Sequence, residues 1–323
     1  MIEVKNLSRY FGDIAAINNI SFHVNKGEII GFLGPNGAGK TTTMRILSCF
    51  IPMSSGTVNL AGYDIFEDSM EVKKRIGYLP ERLPLYKEMT VTEYLEFVLK
   101  IKGKRGRMIS HLLDNAIERC SLQSVRGRLI GNLSGGYRQR LGLAQAIIHN
   151  PEVLIFDEPT IGLDPKQIIE IRELIKELSG EHTVILSTHI LPEVTATCQR
   201  IIIINEGRIV AEDSQERLSS QLRESEKIGI RIKYPPDDII ERLSSINGVI
   251  NIFTGDNGEK NFLIVESLLG RDISEELARY VVMNNWGLME MKSISMSLED
   301  VFLRLTTSEN HPPPNPLPQG EME

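Results

Sequence analysis

The chain has 323 residues, of which 41% are hydrophobic and 24% charged, a composition typical of globular proteins. Its 36 Lys and Arg against 43 Asp and Glu give a formal net charge of −7, which argues against a protein that wraps DNA or RNA, so we expect no nucleic-acid partner. The three cysteines lack metal-ligand spacing, and no apolar run is long enough to cross a bilayer. This length suits two domains better than one.

A glycine-rich segment follows the first strongly apolar run. Residues 28–33 predict a buried strand, residues 34–41 read Gly-Pro-Asn-Gly-Ala-Gly-Lys-Thr, and residues 42–48 predict a helix. In that setting, successive backbone N–H groups and the helix N-terminus bind phosphates. Lys40 is then expected to reach the β- and γ-phosphates and the Thr41 hydroxyl to help hold Mg²⁺. A glycine-rich turn alone often only connects two elements, but this full pattern predicts a nucleoside triphosphate site.

The remaining pattern up to about residue 213 alternates between strands and helices. Strands are predicted at 56–60, 75–79, 153–156, 183–187, 200–204 and 208–211. Helical periodicity covers about 89–150, and a second helix over 168–178 has Asp164 as its cap, Pro165 in its first turn and Gly180 after its end. The basic run 100–107 predicts a solvated loop, with attraction to anionic lipid as the alternative.

A second unit begins near residue 214. Its pattern predicts strand 227–234, helix 235–246, strand 249–254, turn 255–258, strand 261–266, helix 271–284 and strand 286–292. This βαββαβ order predicts a small α+β domain of the ferredoxin-like type. A short helix at 298–305 follows, and the proline-rich tail, 307–323, is predicted to be disordered. We therefore expect one domain over 1–213 and an accessory domain over 214–306.

The strand at 153–156 leads into two carboxylates. Asp157 is placed to hold the water shell of a metal ion, and Glu158 can polarise the water that attacks a phosphate. Acids at a strand end are common by chance, but their position after a phosphate-binding loop favours a hydrolytic site.

A second candidate anion site lies at Ser134-Gly135-Gly136, which begins an apolar-faced helix. Read without a ligand, Ser134 is simply a helix cap. Two phosphate sites so far apart in one chain make sense if a second copy brings them together.

These ordered motifs, within about residues 1–215, resemble the nucleotide-binding subunit of ATP-binding cassette (ABC) transporters. The resemblance implies an α/β fold, the P-loop NTPase fold of the ABC ATPases, with a RecA-like core and antiparallel β and α-helical subdomains. It also implies a head-to-tail dimer that closes on two MgATP. The helical subdomain would be residues 89–150.

The resemblance also assigns roles to individual residues. Phe11, beside Tyr10, would stack on adenine, Asp164 would communicate between the two sites, and His189 would hydrogen-bond the γ-phosphate, although a lone histidine is more often structural. Contacts to the phosphates bound by the same subunit are implied for Asn36, Gly37, Ala38, Gly39, Lys40, Thr41 and Thr42. Contacts to the γ-phosphate of the opposite subunit are implied for Ser134, Gly135 and Gly136. Lys40, Glu158 and His189 would be the catalytic residues.

Two positions depart from the family pattern. Glu81 stands where the family usually has a glutamine that senses Mg²⁺ and the transmembrane partner, so it would add a third carboxylate near the metal held by Thr41 and Asp157. We hypothesise that it makes closure more dependent on Mg²⁺. Tyr137 replaces the usual glutamine after Ser-Gly-Gly, with little loss expected. Residues 297–305 resemble the end of ATPase subunits of ABC-2 type exporters, although their apolar members equally suit a helical core face.

The function implied is ATP hydrolysis that drives a separate membrane permease from the cytoplasmic face of the membrane, and the resemblance to ABC-2 subunits favours an exporter. The partners expected are a second ATPase subunit, identical or related, and the permease, whose cytoplasmic helices the helical region should receive. Two alternatives are a soluble ABC ATPase that acts on ribosomes or nucleic acid and a regulatory ATP switch without transport.

Overall fold

The computed structural model describes residues 1–221, 225–254, 261–294 and 298–307. The described residues divide into two units, Met1–Gln215 with Phe302–Thr307, and residues within Glu216–Val301. The predicted turn at 255–258 and the tail from 308 lie outside the described residues. No helix within the described ranges is both long and apolar enough to span a membrane.

The first unit is built on two sheets. Its strands are β1 (Ile2–Phe11), β2 (Ile14–Val24), β3 (Ile29–Leu33), β4 (Ser55–Leu60), β5 (Tyr63–Asp64), β6 (Ile76–Leu79), β7 (Val153–Asp157), β8 (Thr183–Thr188), β9 (Arg200–Asn205) and β10 (Arg208–Asp213). An antiparallel sheet has the order β2-β1-β4-β5, and a six-stranded sheet has the order β10-β9-β3-β8-β7-β6. In the larger sheet only β10 is antiparallel to its neighbour.

The central strands of the larger sheet are buried on both faces. Every residue of β3, β7 and β8 is buried, which explains their continuous apolar runs. The parallel register pairs Asp157 with Ser187 and Leu33 with Thr188. The carboxyl ends of these three strands therefore meet at one edge of the sheet, where open α/β sheets bind ligands.

Seven α-helices lie within Met1–Gln215, a stretch that the structure describes in full. They are α1 (Lys40–Leu47), α2 (Ser69–Arg75), α3 (Val91–Ile101), α4 (Arg107–Arg119), α5 (Gly135–Ile147), α6 (Pro165–Glu177) and α7 (Leu191–Thr197). Helices α3, α4 and α5, with short 3-10 turns at Gln123–Val125 and Ile130–Asn132, confirm the predicted helical region. The Asp164 cap of α6 is confirmed too, since its Oδ1 accepts the Gln167 N–H at 3.0 Å with Pro165 in the first turn.

Several predicted boundaries in the first unit were wrong. Helix α1 begins at Lys40 rather than Thr42, because the left-handed Gly39 (φ 108°) ends the loop immediately before it. Arg75, predicted as the first residue of a strand, instead ends α2, a helix that the sequence did not predict. Strand β6 therefore starts one residue later than predicted. The basic run is not a solvated loop throughout, since Lys102 Nζ donates to the carbonyls of Lys73 and Ile76 at 2.7 and 3.1 Å.

The second unit confirms the predicted ferredoxin-like topology. Its elements are β11 (Ser225–Ile232), α9 (Ile239–Ser244), β12 (Val249–Thr254), β13 (Phe262–Leu268), α10 (Ser274–Met283) and β14 (Leu288–Ile294). The helices α8 (Gln215–Gln221) and α11 (Leu298–Thr307) each extend across a boundary between the two units in the chain. The antiparallel sheet has the order β12-β13-β11-β14 around a core of isoleucine, leucine, valine and Trp286 side chains. Helix α9 starts at Ile239, not at Pro235, because two consecutive prolines disfavour the helical conformation before them.

Candidate active site

The loop between β3 and α1 has the geometry of a phosphate cradle. Gly39 has φ 108°, and a Cβ there would lie 2.6 Å from the carbonyl oxygen of Ala16 on β2, so only glycine fits. Ala38 and Gly39 are buried, whereas Asn36 and Gly37 are exposed at the loop tip. The loop thus combines a fixed base with an open rim, followed directly by the positive end of a helix.

Lys40 folds back over this loop. Its Nζ donates to the carbonyl oxygens of Gly34 at 2.8 Å and Pro35 at 3.1 Å, and lies 3.7 Å from Glu158 Oε1. The side chain is only 6% exposed, and this burial lowers its pKa, although the charges of Glu158 and Asp157 oppose the change. A cation therefore links the phosphate loop to the acidic end of β7.

Asp157 lies fully buried at the end of β7. Its Oδ1 accepts hydrogen bonds from Ser187 Oγ at 2.6 Å and Thr41 Oγ1 at 3.2 Å. Burial raises its pKa, and these two hydrogen bonds oppose that change. Oδ2 is buried and has no hydrogen-bond partner among the described residues, a costly arrangement for a carboxylate oxygen. An unpartnered carboxylate oxygen beside a threonine hydroxyl suits a hard cation or its bound water.

Glu158 occupies a strained position directly after β7. Its φ of 51° is left-handed, which costs a residue with a Cβ on the order of 1–2 kcal/mol. Its N–H donates to Ser187 O at 2.9 Å, Oε1 lies 2.9 Å from His189 Nδ1, and Oε2 lies 3.3 Å from Thr188 Oγ1. Strain of this kind concentrates at functional sites. The half-exposed His189 and the buried glutamate thus form one unit.

Ser134, Gly135 and Gly136 begin α5, as predicted. Ser134 is the N-cap, and its Oγ accepts the Tyr137 N–H at 3.4 Å, so the structural interpretation of this serine is confirmed. A Cβ on the exposed Gly135 would meet no atom within 4 Å, whereas one on Gly136 would lie 2.6 Å from the Gln167 amide on α6. The first glycine therefore leaves free space above the helix end, and the second allows α5 to pack on α6.

The predicted adenine contact lies on the hairpin of β1 and β2. Tyr10 and Phe11 are 43% and 47% exposed, and the Arg9 guanidinium carbon lies 4.6 Å from the centre of the Phe11 ring. This hairpin touches the phosphate loop where Ala16 O approaches Gly39. An exposed ring is available beside the cradle, with a cation on one of its faces.

Glu81 lies just after β6 and lines a groove of about 850 Å³ with Tyr78 and Asp157. Its charge contributes to the raised pKa of Asp157, and burial raises the pKa of Tyr78 to about 12. In the described part of the chain, no three or more His, Cys, Asp or Glu side chains form a ready metal cage. The carboxylates of Glu81 and Asp157 therefore lie near each other without forming a closed metal site.

The structure brings together Lys40, Thr41, Asp157, Glu158 and His189. Within the described ranges, no hydrogen bond or ion pair joins Phe11, Ser134 or Asp164 to this cluster. Sequence reasoning missed the second layer around it. That layer comprises Ser187, Thr188 and Glu193, together with Gln139, whose amide donates to Pro159 O at 2.6 Å. A serine and threonine at the end of a strand parallel to β7 were the available signal.

Comparison with known proteins decides the family. The family model described as ABC transporter matches residues 17–161. The uncharacterized ABC transporter ATP-binding protein YhcH of Bacillus subtilis (strain 168) is 33% identical over 309 residues, 95% of this chain and 96% of that protein. The chain belongs to the ABC transporter ATP-binding proteins. It is thus an ATP-binding, ATP-hydrolysing transporter subunit.

Two further ABC proteins support this assignment. Nod factor export ATP-binding protein I of Burkholderia lata is 33% identical over 311 residues, which cover 95% of this chain and 97% of that protein. The dimeric, post-hydrolysis structure of the ATP-binding cassette MJ0796 with ADP and Pi superposes with a TM-score of 0.61. It is 27% identical and covers 66% of this chain and 98% of that chain. Cassettes of this family function as dimers with a membrane permease.

Proposed function

We propose that this ABC ATPase closes as a head-to-tail dimer on two MgATP and uses Glu158 as the general base of hydrolysis. The observation that carries the proposal is the position of Glu158, 2.9 Å from His189 Nδ1 and 3.7 Å from Lys40 Nζ. A positioned carboxylate in a site that also holds a cation and a histidine can accept the proton of an attacking water. The ATPase domain would be residues 1–213.

The loop and the first turn of α1 would bind the phosphates. Backbone N–H groups of the segment from Asn36 to Thr42 would donate to phosphate oxygens, and Lys40 would exchange its loop carbonyls for the β- and γ-phosphates. Phe11 would stack on adenine, the one flat apolar part of the nucleotide. Together these contacts would fix the γ-phosphorus in front of Glu158.

A magnesium ion fits the residues at the end of β7. The Asp157 Oδ2, unpartnered among the described residues, and the Thr41 hydroxyl are oxygen donors of the kind that Mg²⁺ takes, with Glu81 near Asp157 as a third oxygen donor. When bound, the ion would neutralise charge on the β- and γ-phosphates. Asp157 and Thr41 would hold it, while Ser187 fixes the Asp157 carboxylate by its 2.6 Å hydrogen bond.

Glu158 and His189 would share the work of hydrolysis. Glu158 would take a proton from the attacking water, and His189, whose Nδ1 lies 2.9 Å from Glu158 Oε1, would hydrogen-bond the γ-phosphate. Lys40 stabilises the negative charge that develops on the transferred phosphoryl group.

A second subunit would complete each site. The exposed Ser134 hydroxyl and the free space above Gly135 are suited to a phosphate, yet no hydrogen bond in the described ranges links them to the loop of their own chain. In a head-to-tail dimer, Ser134, Gly135 and Gly136 would contact the γ-phosphate bound by the partner, and Asp164 would lie between the two sites. An identical or a related ATPase could fill this position.

The groove beside Glu81 would receive a cytoplasmic helix of the permease. Its lining combines apolar side chains with cations, namely Phe50, Met70, Val98 and Ile101 with Arg45, Lys73, Lys74, Arg82 and Lys102. An amphipathic helix with acidic residues matches this combination. The ATPase would then act at the cytoplasmic face of the membrane. Arg82→Glu should lower co-purification with the permease, whereas Lys166→Glu, a charge reversal at an exposed residue of α6, should not.

Export is the direction that we propose. A relative aligned over 95% of this chain is named as an export ATP-binding protein. The segment 298–305, which resembles the end of ABC-2 exporter ATPases, forms the predicted helix, α11.

Trapping the closed dimer tests these proposals together. Glu158→Gln should abolish ATP turnover and accumulate an ATP-dependent dimer by size-exclusion chromatography, since closure no longer ends in hydrolysis. The trapped dimer, purified from detergent-solubilised membranes, should bring down an integral membrane protein. Glu177→Gln, an exposed acid on α6, serves as the control with normal turnover. Recovery of ribosomes instead of a membrane protein would favour the soluble alternative, and an ATP-bound form without turnover in the wild type would favour the regulatory switch.

A further inference from the structure

A second buried glutamate lies behind the catalytic carboxylate. Glu193 on α7 is 1% exposed, and its Oε2 accepts a hydrogen bond from Thr188 Oγ1 at 2.8 Å. Its Oε1 accepts the hydroxyl of Thr160 and lies 4.0 Å from Arg172 Nη2. A carboxylate so far from water needs such partners to remain in place. Neither the phosphate contacts nor the permease groove uses this group.

Thr188 joins the two glutamates. The same Oγ1 that donates to Glu193 lies 3.3 Å from Glu158 Oε2 and accepts the Ile190 N–H at 3.1 Å. A hydroxyl carries one proton and can make one full hydrogen bond as a donor. The distances, 2.8 Å against 3.3 Å, assign that proton to Glu193, because hydrogen bonds between oxygens weaken beyond about 3 Å.

We propose that Glu193 is a positioning residue that keeps the Thr188 hydroxyl turned away from Glu158. This inference rests on the proposed role of Glu158 as general base. A hydrogen bond donated to Glu158 Oε2 would favour its ionised form and make it a weaker base. With the Thr188 proton held by Glu193, the lone pairs of Oε2 stay available for the proton of the attacking water. Glu193 thus acts on the chemistry only through Thr188.

Glu193→Gln tests the direction of this hydrogen bond. The variant keeps the size of the side chain. Arg172 and the Thr160 hydroxyl favour its amide oxygen at the Oε1 position, so its amide N–H faces Thr188 Oγ1, whose proton then turns to Glu158. We expect kcat to fall about tenfold, the effect of one hydrogen bond to a charged group, with an unchanged KM for ATP. Adding Thr188→Val removes the misdirected hydroxyl, so the double variant should recover most of the kcat of Thr188→Val alone.

Two further variants separate the explanations. Thr160→Val removes the other hydroxyl on Glu193 but keeps Thr188, and its kcat should stay within about twofold of the wild type. The proposal is overturned if Glu193→Gln has the wild-type kcat, or if adding Thr188→Val to it does not raise kcat. It is also overturned if Thr160→Val lowers kcat as much as Glu193→Gln does, since that result would point to the packing of α7. Glu158→Gln belongs in the same assay. Turnover by that variant would contradict the base itself, whereas its inactivity beside a fully active Glu193→Gln would contradict only the role of Glu193.

Discussion

Lys40 Nζ lies 3.7 Å from Glu158 Oε1, and both side chains are almost entirely buried. The two groups come from the loop after β3 and the end of β7, which are separated by more than a hundred residues in sequence. Their proximity means that the phosphate loop and the carboxylate proposed as the general base share one electrostatic environment. A change to either residue should therefore affect both nucleotide binding and turnover.

Lys40→Ala should weaken ATP binding and prevent dimerisation. Loss of a charged hydrogen-bond donor to the phosphates should lower ATP affinity about 10- to 100-fold. In a Glu158→Gln background the variant should stay monomeric at ATP concentrations that dimerise the parent, as measured by size-exclusion chromatography. The exposed Lys26→Ala serves as the matched control. A dimer that still forms with Lys40→Ala would contradict the inference that the phosphate loop is half of a shared site.

Gly135→Ala should separate activity from stability. The added methyl group meets no atom of its own chain within 4 Å and lies in a helix, where alanine is preferred, so the melting temperature should not fall. It would project into the space proposed for the partner's γ-phosphate, and ATPase activity should drop about 100-fold.

Gly142→Ala on the same helix is the control that should lose stability but keep activity. There a Cβ would lie 2.5 Å from Leu83 and 2.7 Å from Leu79, so overpacking should cost about 1–3 kcal/mol of stability. The folded protein should nevertheless keep its ATPase activity at low temperature. Full ATPase activity in Gly135→Ala would remove the case for a γ-phosphate contact at that residue.

Glu81→Gln should make closure less dependent on magnesium. A neutral amide removes one negative charge from the neighbourhood of Asp157, so less cation is needed to offset repulsion. The amount of ATP-dependent dimer that forms without added Mg²⁺ should rise roughly threefold, the scale of a partly screened charge pair. The exposed Glu88→Gln should leave it unchanged. If Glu81→Gln altered neither this Mg²⁺ dependence nor the coupling of ATPase activity to the permease, the hypothesis would be wrong.

His149→Gln should make the protein less sensitive to acid. Burial, with a smaller effect of nearby Lys102, lowers the pKa of His149 to about 3 from an ordinary value of 6.5. Between these two pKa values, His149 is protonated in the unfolded state but not in the folded state. The unfolding free energy of the wild type therefore falls as the pH drops from the higher pKa to the lower one. One such proton changes the unfolding free energy by about 1.4 kcal/mol per pH unit.

Urea unfolding at pH 7 and at pH 4.5 measures this effect. The difference in unfolding free energy between the two pH values should shrink in His149→Gln and stay at the wild-type value in His111→Gln, an exposed histidine on α4. An unchanged difference in His149→Gln would mean that other groups govern the acid response.

The sequence was most informative where local chemistry decides the structure. The phosphate loop, the acids after β7 and the Asp164 cap each depend on a few adjacent residues whose backbone needs are specific. The order of elements in the second unit could be predicted for the same reason, since apolar residues recur with a different period in strands and in helices. The α/β fold class followed from that periodicity together with the family resemblance.

What the sequence did not reveal depends on residues distant in the chain. The left-handed backbone of Glu158 and its contact with His189 arise from the neighbouring strands β7 and β8. Lys102 looked solvated within a basic run, yet it reaches the carbonyls that end α2. Helix α7 was missed because its seven residues include Pro192 and two threonines, and its packing on the sheet outweighs their low helix propensity.

The backbone of Glu158 also sets stability against turnover at a single residue. Glycine would adopt the φ of 51° without the penalty of a Cβ, and it would remove a carboxylate from the interior. Against that gain, the buried Lys40 would lose the carboxylate that lies 3.7 Å from it. A substitution chosen to relieve the backbone strain would therefore break a buried ion pair and remove the proposed general base at the same time, so the strain cannot be removed without a loss elsewhere.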